Sequence, residues 1–224
     1  MPDSPPPLPT PTADDLRGRF VGRHVIVEPL RAEHEAGLME AAVDPEMFGW
    51  MPIDMASSRD ALREWLATSL AAAQAGREVP FAILAGDEAR PSRPPREPRE
   101  PGPLRPGHVL GSTRFLDLRL EHLRAEIGWT WVTRGAWGSG ANVETKLLLL
   151  QHAFETVGLR RVEFKTDSRN QRSRGALLAL GATFEGIFRK HMVVRDGGER
   201  DSAYYSVTDD DWPEVKRRLQ ARLA

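Results

Sequence analysis

Residues 137–154 read WGSGANVETKLLLLQHAF, a glycine-rich turn that runs directly into an apolar helical stretch. The N-terminus of a helix exposes main-chain N–H groups without intrahelical partners, and the helix dipole adds partial positive charge there. Gly138 and Gly140 let the main chain turn tightly and approach a ligand closely. The join therefore predicts a site at which successive amides from Gly138 to Asn142 bind a diphosphate.

Other interpretations of this turn exist. The triphosphate-binding signature G-x-x-x-x-G-K-[ST] is absent, which argues against a nucleoside triphosphate loop. A dinucleotide site would use Asp167 at the end of the next strand, but Val143 occupies the place of its third glycine. The two glycines are also explained by a tight strand-to-helix turn that binds nothing. These last two alternatives stay open on the turn alone.

The composition bounds the class of protein. The chain has 224 residues, 40% hydrophobic and 28% charged, which is enough for one sizeable core. A net charge of −1 gives no long-range attraction to nucleic acid or anionic lipid, so we expect neither as a partner. Cysteine is absent, which excludes disulfides, thiolate metal ligands and a cysteine nucleophile. With no signal-peptide pattern at the N-terminus, we expect a cytoplasmic protein.

Proline marks the domain organisation. Six of the 18 prolines lie within residues 2–11 and seven more within residues 91–106. Proline lacks the amide proton that helices and sheets use, and these tracts have few apolar residues. We therefore predict a disordered tail over residues 1–16 and a single domain over residues 17–224. A disordered Pro/Arg-rich insertion interrupts that domain at about residues 87–107, and its interleaved acids favour a solvated loop over a basic ligand patch.

The rest of the chain alternates between strand and helix patterns. The helix after the glycine turn is expected to bury a stripe made of Leu147, Leu150, Phe154 and Val157. Thr208 is expected to cap the last helix, with Pro213 in its first turn. Strands are predicted over residues 23–30, 79–86, 108–120, 124–133 and 160–167, with a hairpin over 182–208, and helices over residues 31–44, 58–74 and 170–181.

Three blocks in order carry a resemblance to a known family. They are AEIGWTWVTRGAWGSGANVETKLLLLQHAFE (125–155), RVEFKTDSRNQRSRGALLALGATFEGIFRK (161–190) and RDSAYYSVTDDDW (200–212). This pattern resembles the GNAT superfamily of N-acetyltransferases, most closely the Rim-type branch that acetylates ribosomal-protein alanines. The resemblance covers about residues 17–224 without the insertion. It implies an α+β fold with a mixed, mostly antiparallel central sheet, splayed fourth and fifth strands, and flanking helices.

The resemblance also implies acetyl-CoA as co-substrate. Asn170 and Ser173 match the Asn-x-x-Ser of the branch, whose asparagine contacts pantetheine and whose serine lies near the sulfur, although they also read as a helix cap and a first-turn serine. The family signature wants a polar residue at Gly135, one place after Arg134, so Arg134 is only a plausible phosphate partner. The implied diphosphate loop is Gly138, Ser139, Gly140, Ala141 and Asn142, and the implied pantetheine-binding strand edge is Trp131, Val132 and Thr133.

Acetyl transfer to an amine needs a base, a donor for the oxyanion and a proton for the thiolate. Glu126, just before a strand expected to be buried, is the predicted base, with a salt-bridged strand residue as the alternative. Glu185 and His191 are weaker candidates. A main-chain amide near Val132 is expected to meet the oxyanion. The short helix over residues 170–181 lacks the tyrosine that many relatives use to protonate the thiolate, so Ser173 or a water that it holds takes that place, or the thiolate leaves unaided.

No metal is expected, because the six histidines show no metal-binding spacing. Phe48, Trp50 and Met51 lie between the first two helices, where they line an acceptor pocket or plug the core. The resemblance points to an α-amine on a protein N-terminus or a small molecule. We therefore predict an acetyl-CoA-dependent N-acetyltransferase that acts on a primary amine by direct attack in a ternary complex, and that can form a homodimer. The alternative is a non-catalytic module that binds coenzyme A or a nucleotide.

Overall fold

A computed structural model describes residues 10–89, 104–195 and 197–224. Within these ranges, eight strands form one sheet in the order β1-β2-β3-β4-β5-β6-β8-β7. Every neighbouring pair is antiparallel except β5 and β6, which run parallel. The sheet confirms the predicted mixed, mostly antiparallel α+β architecture. The strands are β1 Phe20–Val21, β2 Val25–Pro29, β3 Val79–Ala85, β4 Val109–Arg119, β5 Arg124–Val132, β6 Arg161–Asp167, β7 Thr183–Val193 and β8 Glu199–Thr208.

Helices cover both faces of the sheet. One core packs α3, α4 and α5 against residues such as Phe81 and Ile83, and the other packs α1 and α2 against Ala82 and Trp131. Neighbouring residues of β3 serve different cores because side chains alternate along a strand. The helices are α1 Glu35–Ala41, α2 Arg59–Gln74, α3 Ala141–Gln151, continued by a π-helical turn His152–Thr156, α4 Gln171–Leu180 and α5 Trp212–Ala221.

The sheet opens between β5 and β6. Their pairing consists of three residue pairs, and it stops after Glu126 opposite Glu163. Trp129 then adopts a φ of 51°, and Thr113 of β4 faces both Trp129 and Thr130 in a bulge. The edge of β5 over residues 127–132 is left facing an opening. These two strands are the fourth and fifth of the expected family fold, because the short β1 adds one strand at the start, so the predicted splay is confirmed.

The ordered domain begins earlier than the expected boundary at residue 17. Residues Asp14–Leu16 form a 3₁₀ helix, and the Leu16 side chain is fully buried in the core. The His152 Nε2 atom lies 2.8 Å from the Asp15 carbonyl oxygen, which ties this turn to the end of α3. The expectation of a disordered tail over residues 1–16 is therefore wrong for its last part, because one leucine anchors it. The expectations for residues 1–9 and 90–103 lie outside the described residues.

Two local expectations agree with the structure. In α3, Leu150 is fully buried, and the half-buried Leu147, Phe154 and Val157 pack against the core, as predicted; Leu149 is fully buried as well. Before the last helix, Thr208 Oγ1 accepts the Asp211 N–H at 3.3 Å, and the Asp211 carboxylate accepts the Thr208 N–H at 3.0 Å. Thr208 therefore caps the turn that begins this helix, in a reciprocal capping box with Asp211.

Candidate active site

The turn before α3 presents unpaired main-chain donors. Gly138 and Gly140 have φ values of 75° and 87°, which only glycine adopts at little cost. Ser139 Oγ donates to the Ala136 carbonyl at 2.8 Å and accepts the Ala141 N–H at 3.3 Å, so it stiffens the turn. Within the part of the chain that the structure describes, four N–H groups here have no acceptor: those of Gly138, Gly140, Asn142 and Val143. This is the amide cluster that an anion needs.

Arginine side chains flank this turn, and Arg134 is already engaged. Arg134 Nε donates to the Asp44 carboxylate at 2.5 Å, and its Nη2 pairs with Glu46. Its predicted role as a phosphate partner is therefore not supported by this arrangement, because acidic side chains occupy its donors.

Arg172 is the better placed cation. Its guanidinium stacks 3.6 Å from the centroid of the Trp137 ring, next to the glycine turn. It makes no hydrogen bond or ion pair with any residue in the described ranges. Burial lowers the pKa of Arg172, and the nearby charge of Arg134 lowers it further. Sequence reasoning missed Arg172, whose only signal was its place in the first turn of α4.

The edge of β5 offers one main-chain donor at the opening. Thr133 N–H donates to the Leu110 carbonyl at 2.6 Å, towards β4. Main-chain groups alternate sides along a strand, so those of Trp131 also face β4 while those of Val132 face the opening. Trp137 Nε1 donates to the Val132 carbonyl at 3.0 Å, so the Val132 N–H is the main-chain group of this residue that remains available at the opening. Of the three residues predicted to supply the edge, only Val132 directs its main chain there.

Asn170 begins α4 as its N-cap residue, with its Oδ1 accepting the Ser173 N–H at 3.0 Å. This cap leaves the Ser173 hydroxyl without a partner among the residues of known placement. Neither tyrosine lies on α4. Tyr205 is buried and its hydroxyl accepts from Arg174 Nε at 3.0 Å, whereas the Tyr204 hydroxyl lies 3.3 Å from His191 Nε2.

Glu126 lies at the point where β5 and β6 part. Its side chain is 3% exposed, and its Oε2 lies 3.1 Å from Lys165 Nζ. Burial raises the pKa of Glu126, and Lys165 offsets part of that rise. A Cβ atom on Gly128 would lie 2.8 Å from Glu126 Oε1, so a larger residue there would require this carboxylate to shift. Glu126 is thus both the buried carboxylate and the salt-bridged residue that the sequence had offered as alternatives.

Polar side chains share the sheet face of Glu126. Lys165 pairs in register with Tyr204, and Asp167 pairs with Ser202. By strand alternation these residues lie on the face opposite the buried Ala203 and Tyr205. Burial raises the pKa of Tyr204 to about 12. The structure thus brings a half-buried tyrosine into the neighbourhood of Glu126.

Of the two weaker base candidates, His191 joins this face and Glu185 does not. His191 Nδ1 lies 3.1 Å from Ser202 Oγ, and burial lowers the pKa of His191 with help from the charges of Lys165 and Arg200. Glu185 is bound by the Arg161 guanidinium, and the Ser206 hydroxyl donates to it at 2.8 Å. Those contacts give Glu185 a structural role.

Lys146 crosses the opening on the side of α3. It is 5% exposed, its Nζ donates to Thr130 Oγ1 at 2.6 Å, and it lies 5.7 Å from the centre of the Phe164 ring. Burial lowers the pKa of Lys146 to about 7, although the charge of Glu126 acts in the other direction. Sequence reasoning gave Lys146 no role, since its depth depends on how α3 lies over β5 and β6.

The predicted acceptor residues separate. Phe48 is fully buried, with its ring centre 5.3 Å from that of Trp131, so it plugs the core and does not line a surface pocket. Trp50 is 45% exposed, and the Arg169 guanidinium lies 5.6 Å from its ring centre. Arg169 follows the end of β6, which places Trp50 at the open end of the splay. Met51 beside it is half-buried.

No three His, Asp or Glu side chains in the described ranges come together in an arrangement that can hold a metal ion. In the same ranges, no helix has both the length and the apolar character needed to cross a membrane.

Comparison with known proteins identifies the family. The domain described as "Acetyltransferase (GNAT) domain" matches residues 24–183, more than two thirds of the chain. The chain belongs to the GNAT acetyltransferase family. Membership confirms the family and the enzyme class predicted from the three sequence blocks.

Solved structures and curated relatives agree with this membership. A GCN5-related N-acetyltransferase from Brucella melitensis is 30% identical, with a TM-score of 0.80 over 96% of this GNAT chain and 88% of its own. The FsC-acetyl coenzyme A-N(2)-transacetylase of Aspergillus fumigatus is 30% identical over 100 residues, or 44% of this chain. The matches span less than half the length of the curated relatives, 42% and 46%.

The Rim-type branch is represented among the structural neighbours. Mycobacterium smegmatis RimJ, in complex with CoA-disulfide, covers 91% of this GNAT chain and 92% of its own at a TM-score of 0.70. Its identity is 22%, so this likeness shows a shared fold. The assignment to that branch stays a prediction.

Proposed function

We propose that this GNAT protein transfers the acetyl group of acetyl-CoA to a primary amine within a ternary complex. One observation carries the proposal: the opening between β5 and β6 lies beside the unpaired amides that begin α3. The diphosphate binds those amides, and pantetheine follows the free edge of β5. The thioester then comes to lie where the two strands part, next to Glu126.

Arg172 completes the diphosphate site. Its guanidinium has no acidic partner among the described residues, and Trp137 holds it beside the glycine turn. A guanidinium fork matches two phosphate oxygens, so Arg172 takes the role that the sequence had suggested for Arg134. Asn170 and Ser173 begin the same helix, where Ser173 is free to donate its hydroxyl proton towards the sulfur.

The reaction breaks one bond and forms another. The neutral amine attacks the thioester carbon, the C–S bond breaks, and the amide C–N bond forms. One proton leaves the amine for Glu126, directly or through a water, and the departing thiolate gains a proton from solvent, either directly or relayed by the Ser173 hydroxyl, which solvent reprotonates. The Val132 N–H donates to the oxyanion, because its own carbonyl is held by Trp137 and its amide faces the opening.

The test is release of free thiol from acetyl-CoA in the presence of peptides, amino acids and polyamines. We expect acceptor-dependent thiol release and a product heavier by one acetyl group. The absence of tyrosine on α4 favours one other function, a coenzyme A-binding module without catalysis. Coenzyme A binding by calorimetry with no thiol release would support that module and overturn the transferase.

The acceptor is an α-amine in this proposal. Trp50 and Met51 border the open end of the splay, and an apolar ring there can pack against the acceptor side chain. Phe48 takes no part, because it is enclosed by the core.

A further inference from the structure

Arg200 of β8 is a buried cation without a counter-ion. It is 6% exposed, and within residues 10–89, 104–195 and 197–224 it makes no hydrogen bond or ion pair. Its Nε atom is enclosed with no acceptor. The nearby acids are already engaged: Glu126 pairs with Lys165 at 3.1 Å, and Asp167 pairs with Arg169 at 2.8 Å.

Such an arrangement is costly for the free protein. Taking a charged group out of water without pairing it carries a desolvation penalty that no direct partner offsets. Burial lowers the pKa of Arg200, yet a guanidinium stays protonated in any accessible pH range. Glu126 and Asp167 act on Arg200 from nearby, but each is bonded to another cation, so among the described residues the guanidinium has no direct acidic partner, and an anion supplied from outside could take that place.

Arg200 lies on the sheet face of the proposed base, and the amides proposed to bind the coenzyme phosphates lie on the other face. Strand alternation places Arg200 with Ser202 and Tyr204, on the sheet face that carries Glu126. The charges of Glu126 and Asp167 both act on it, so it lies near the proposed base. The amides that begin α3 belong to the other face. An anion at Arg200 is therefore distinct from the diphosphate.

The accessible part of the side chain is its outer end. Nε alone among its nitrogens is enclosed without a partner, so the outer nitrogens of the fork stay open to a ligand. A planar fork of this kind forms two parallel N–H···O bonds with a carboxylate.

We propose that Arg200 binds a carboxylate of the acceptor, so that the acceptors are amino carboxylates, with the amine at Glu126 and the acid group at Arg200. This inference rests on the proposed transferase function. It deepens that function by naming the substrate class, and it makes Arg200 a specificity residue that takes no part in proton transfer.

The test compares L-amino acids and dipeptides with their own C-terminal carboxamides, one pair at a time. In the wild type we expect kcat/KM to be at least about tenfold higher for the carboxylate of each accepted pair. Arg200→Gln should remove this preference, because it should lower kcat/KM for the carboxylate and leave kcat/KM for the carboxamide unchanged. Arg189→Gln changes an exposed arginine on the neighbouring strand and should behave as the wild type.

A purely structural role for Arg200 would give a different result in these experiments. If Arg200 only supported the fold, Arg200→Gln would lower the urea midpoint and reduce both members of each pair equally. We expect Arg200→Gln to raise the urea midpoint instead, since removing an unpaired buried charge stabilises the fold. A wild-type preference below about threefold, or a preference that survives in Arg200→Gln, would overturn the proposal.

A binding experiment separates this inference from the transferase proposal. Saturation-transfer NMR on the coenzyme A-saturated protein should detect the amino carboxylates more strongly than their carboxamides, and Arg200→Gln should abolish the difference. If no amine is acetylated, the transferase proposal fails while this measurement still tests Arg200. Equal signals for the two members of each pair would reject the carboxylate site even if turnover is observed.

Discussion

At the scale of single residues, Glu126 combines burial with an ion pair, and both bear on its use as a base. A carboxylate accepts a proton only when ionised. Burial raises the pKa of Glu126 above the usual value for glutamate, so its ionised fraction falls at a higher pH than for an exposed residue. The charge of Lys165 and its contact with the carboxylate limit that rise in the pKa of Glu126.

We predict that kcat/KM of the wild type falls as the pH drops through the raised pKa of Glu126. Glu126→Gln cannot titrate, so this acid limb should disappear, and the rate should fall by about 10²- to 10⁴-fold. The measurement is a pH profile of thiol release. Glu163→Gln is the matched control, because Glu163 is the buried carboxylate opposite Glu126 in register and is paired with Arg124 and Arg161.

We expect Glu163→Gln to be less stable than the wild type but to keep the fall of kcat/KM at low pH. An unaltered pH profile in Glu126→Gln would remove Glu126 from the mechanism.

Ser139 allows the diphosphate site to be tested without damaging the turn. Ser139→Asp retains an oxygen that can accept the Ala141 N–H, and a carboxylate at a helix N-terminus stabilises by about 0.3–1 kcal/mol. The same charge repels a diphosphate, so we predict that acetyl-CoA binds at least about tenfold more weakly. In Ser139→Asp, calorimetry should therefore show a lower affinity for acetyl-CoA, while urea unfolding should show a higher stability.

Ser139→Ala is the control, with nearly unchanged affinity and a stability loss of about 0.5–1 kcal/mol. Substituting Gly138 would not separate the two effects, because its φ of 75° strains any other residue. Wild-type affinity in Ser139→Asp would show that the coenzyme phosphates bind elsewhere.

At the scale of elements, Glu144 joins α3 to the turn between β1 and β2. Its carboxylate accepts the main-chain N–H groups of Arg23, His24 and Val25 at 3.0, 2.6 and 2.8 Å. A Cβ atom on Gly22 would collide with this carboxylate, so a larger residue there would displace Glu144 from these three donors. The contact holds the start of α3, and with it the glycine turn, against the edge of the sheet.

We predict that Glu144→Ala lowers the free energy of unfolding by about 2–4 kcal/mol, because three main-chain donors, that of Val25 buried and the other two partly buried, lose their acceptor. Urea unfolding measures the change. Glu40→Gln alters an exposed glutamate of α1 and should stay within about 0.5 kcal/mol of the wild type. A stability in Glu144→Ala close to that of the control would mean that solvent replaces the carboxylate.

At the scale of the whole molecule, the sheet ends on β7, an edge strand with apolar residues in solvent. Phe184, Ile187 and Phe188 are 42%, 44% and 55% exposed. Exposed apolar strand edges pair readily with another chain, and antiparallel pairing of two identical edges gives a closed dimer. The homodimer expected from the sequence would use this edge.

We predict that Ile187→Lys dissociates that dimer, because it places a charge in the middle of the shared edge. Sedimentation equilibrium measures the mass. Val21→Lys is the matched control on β1 at the other end of the sheet, where Val21 is 61% exposed, and it should remain dimeric. A monomeric wild type, or dissociation by Val21→Lys alone, would contradict this arrangement.

Much of the molecule follows from local pattern. Alternation and helical periodicity predicted the main strands and helices, and glycine at 138 and 140 predicted the tight turn before α3, where both residues have positive φ values. Asn170 was expected to cap α4 and does so. These features depend on residues a few positions apart, so a single sequence contains the necessary information.

Other features came from residues distant in sequence. Leu16 is buried although it adjoins a proline-rich tract, and Phe48 fills the core although its segment reads as a pocket wall. Arg134 is engaged by acids about 90 positions away. Composition describes a segment in isolation, whereas burial depends on what packs against it.

The sequence by itself determined the family, the order of the elements and the amide-rich turn before α3. Only the tertiary structure decided that Val132 alone of the predicted edge residues faces the opening, and that Arg172 instead of Arg134 has no acidic partner among the residues that the structure describes. It also showed Arg200 buried and, among those same residues, unpaired. The physical reason is that hydrogen-bonding direction and charge pairing depend on strand register and on contacts between distant segments, which local pattern does not specify.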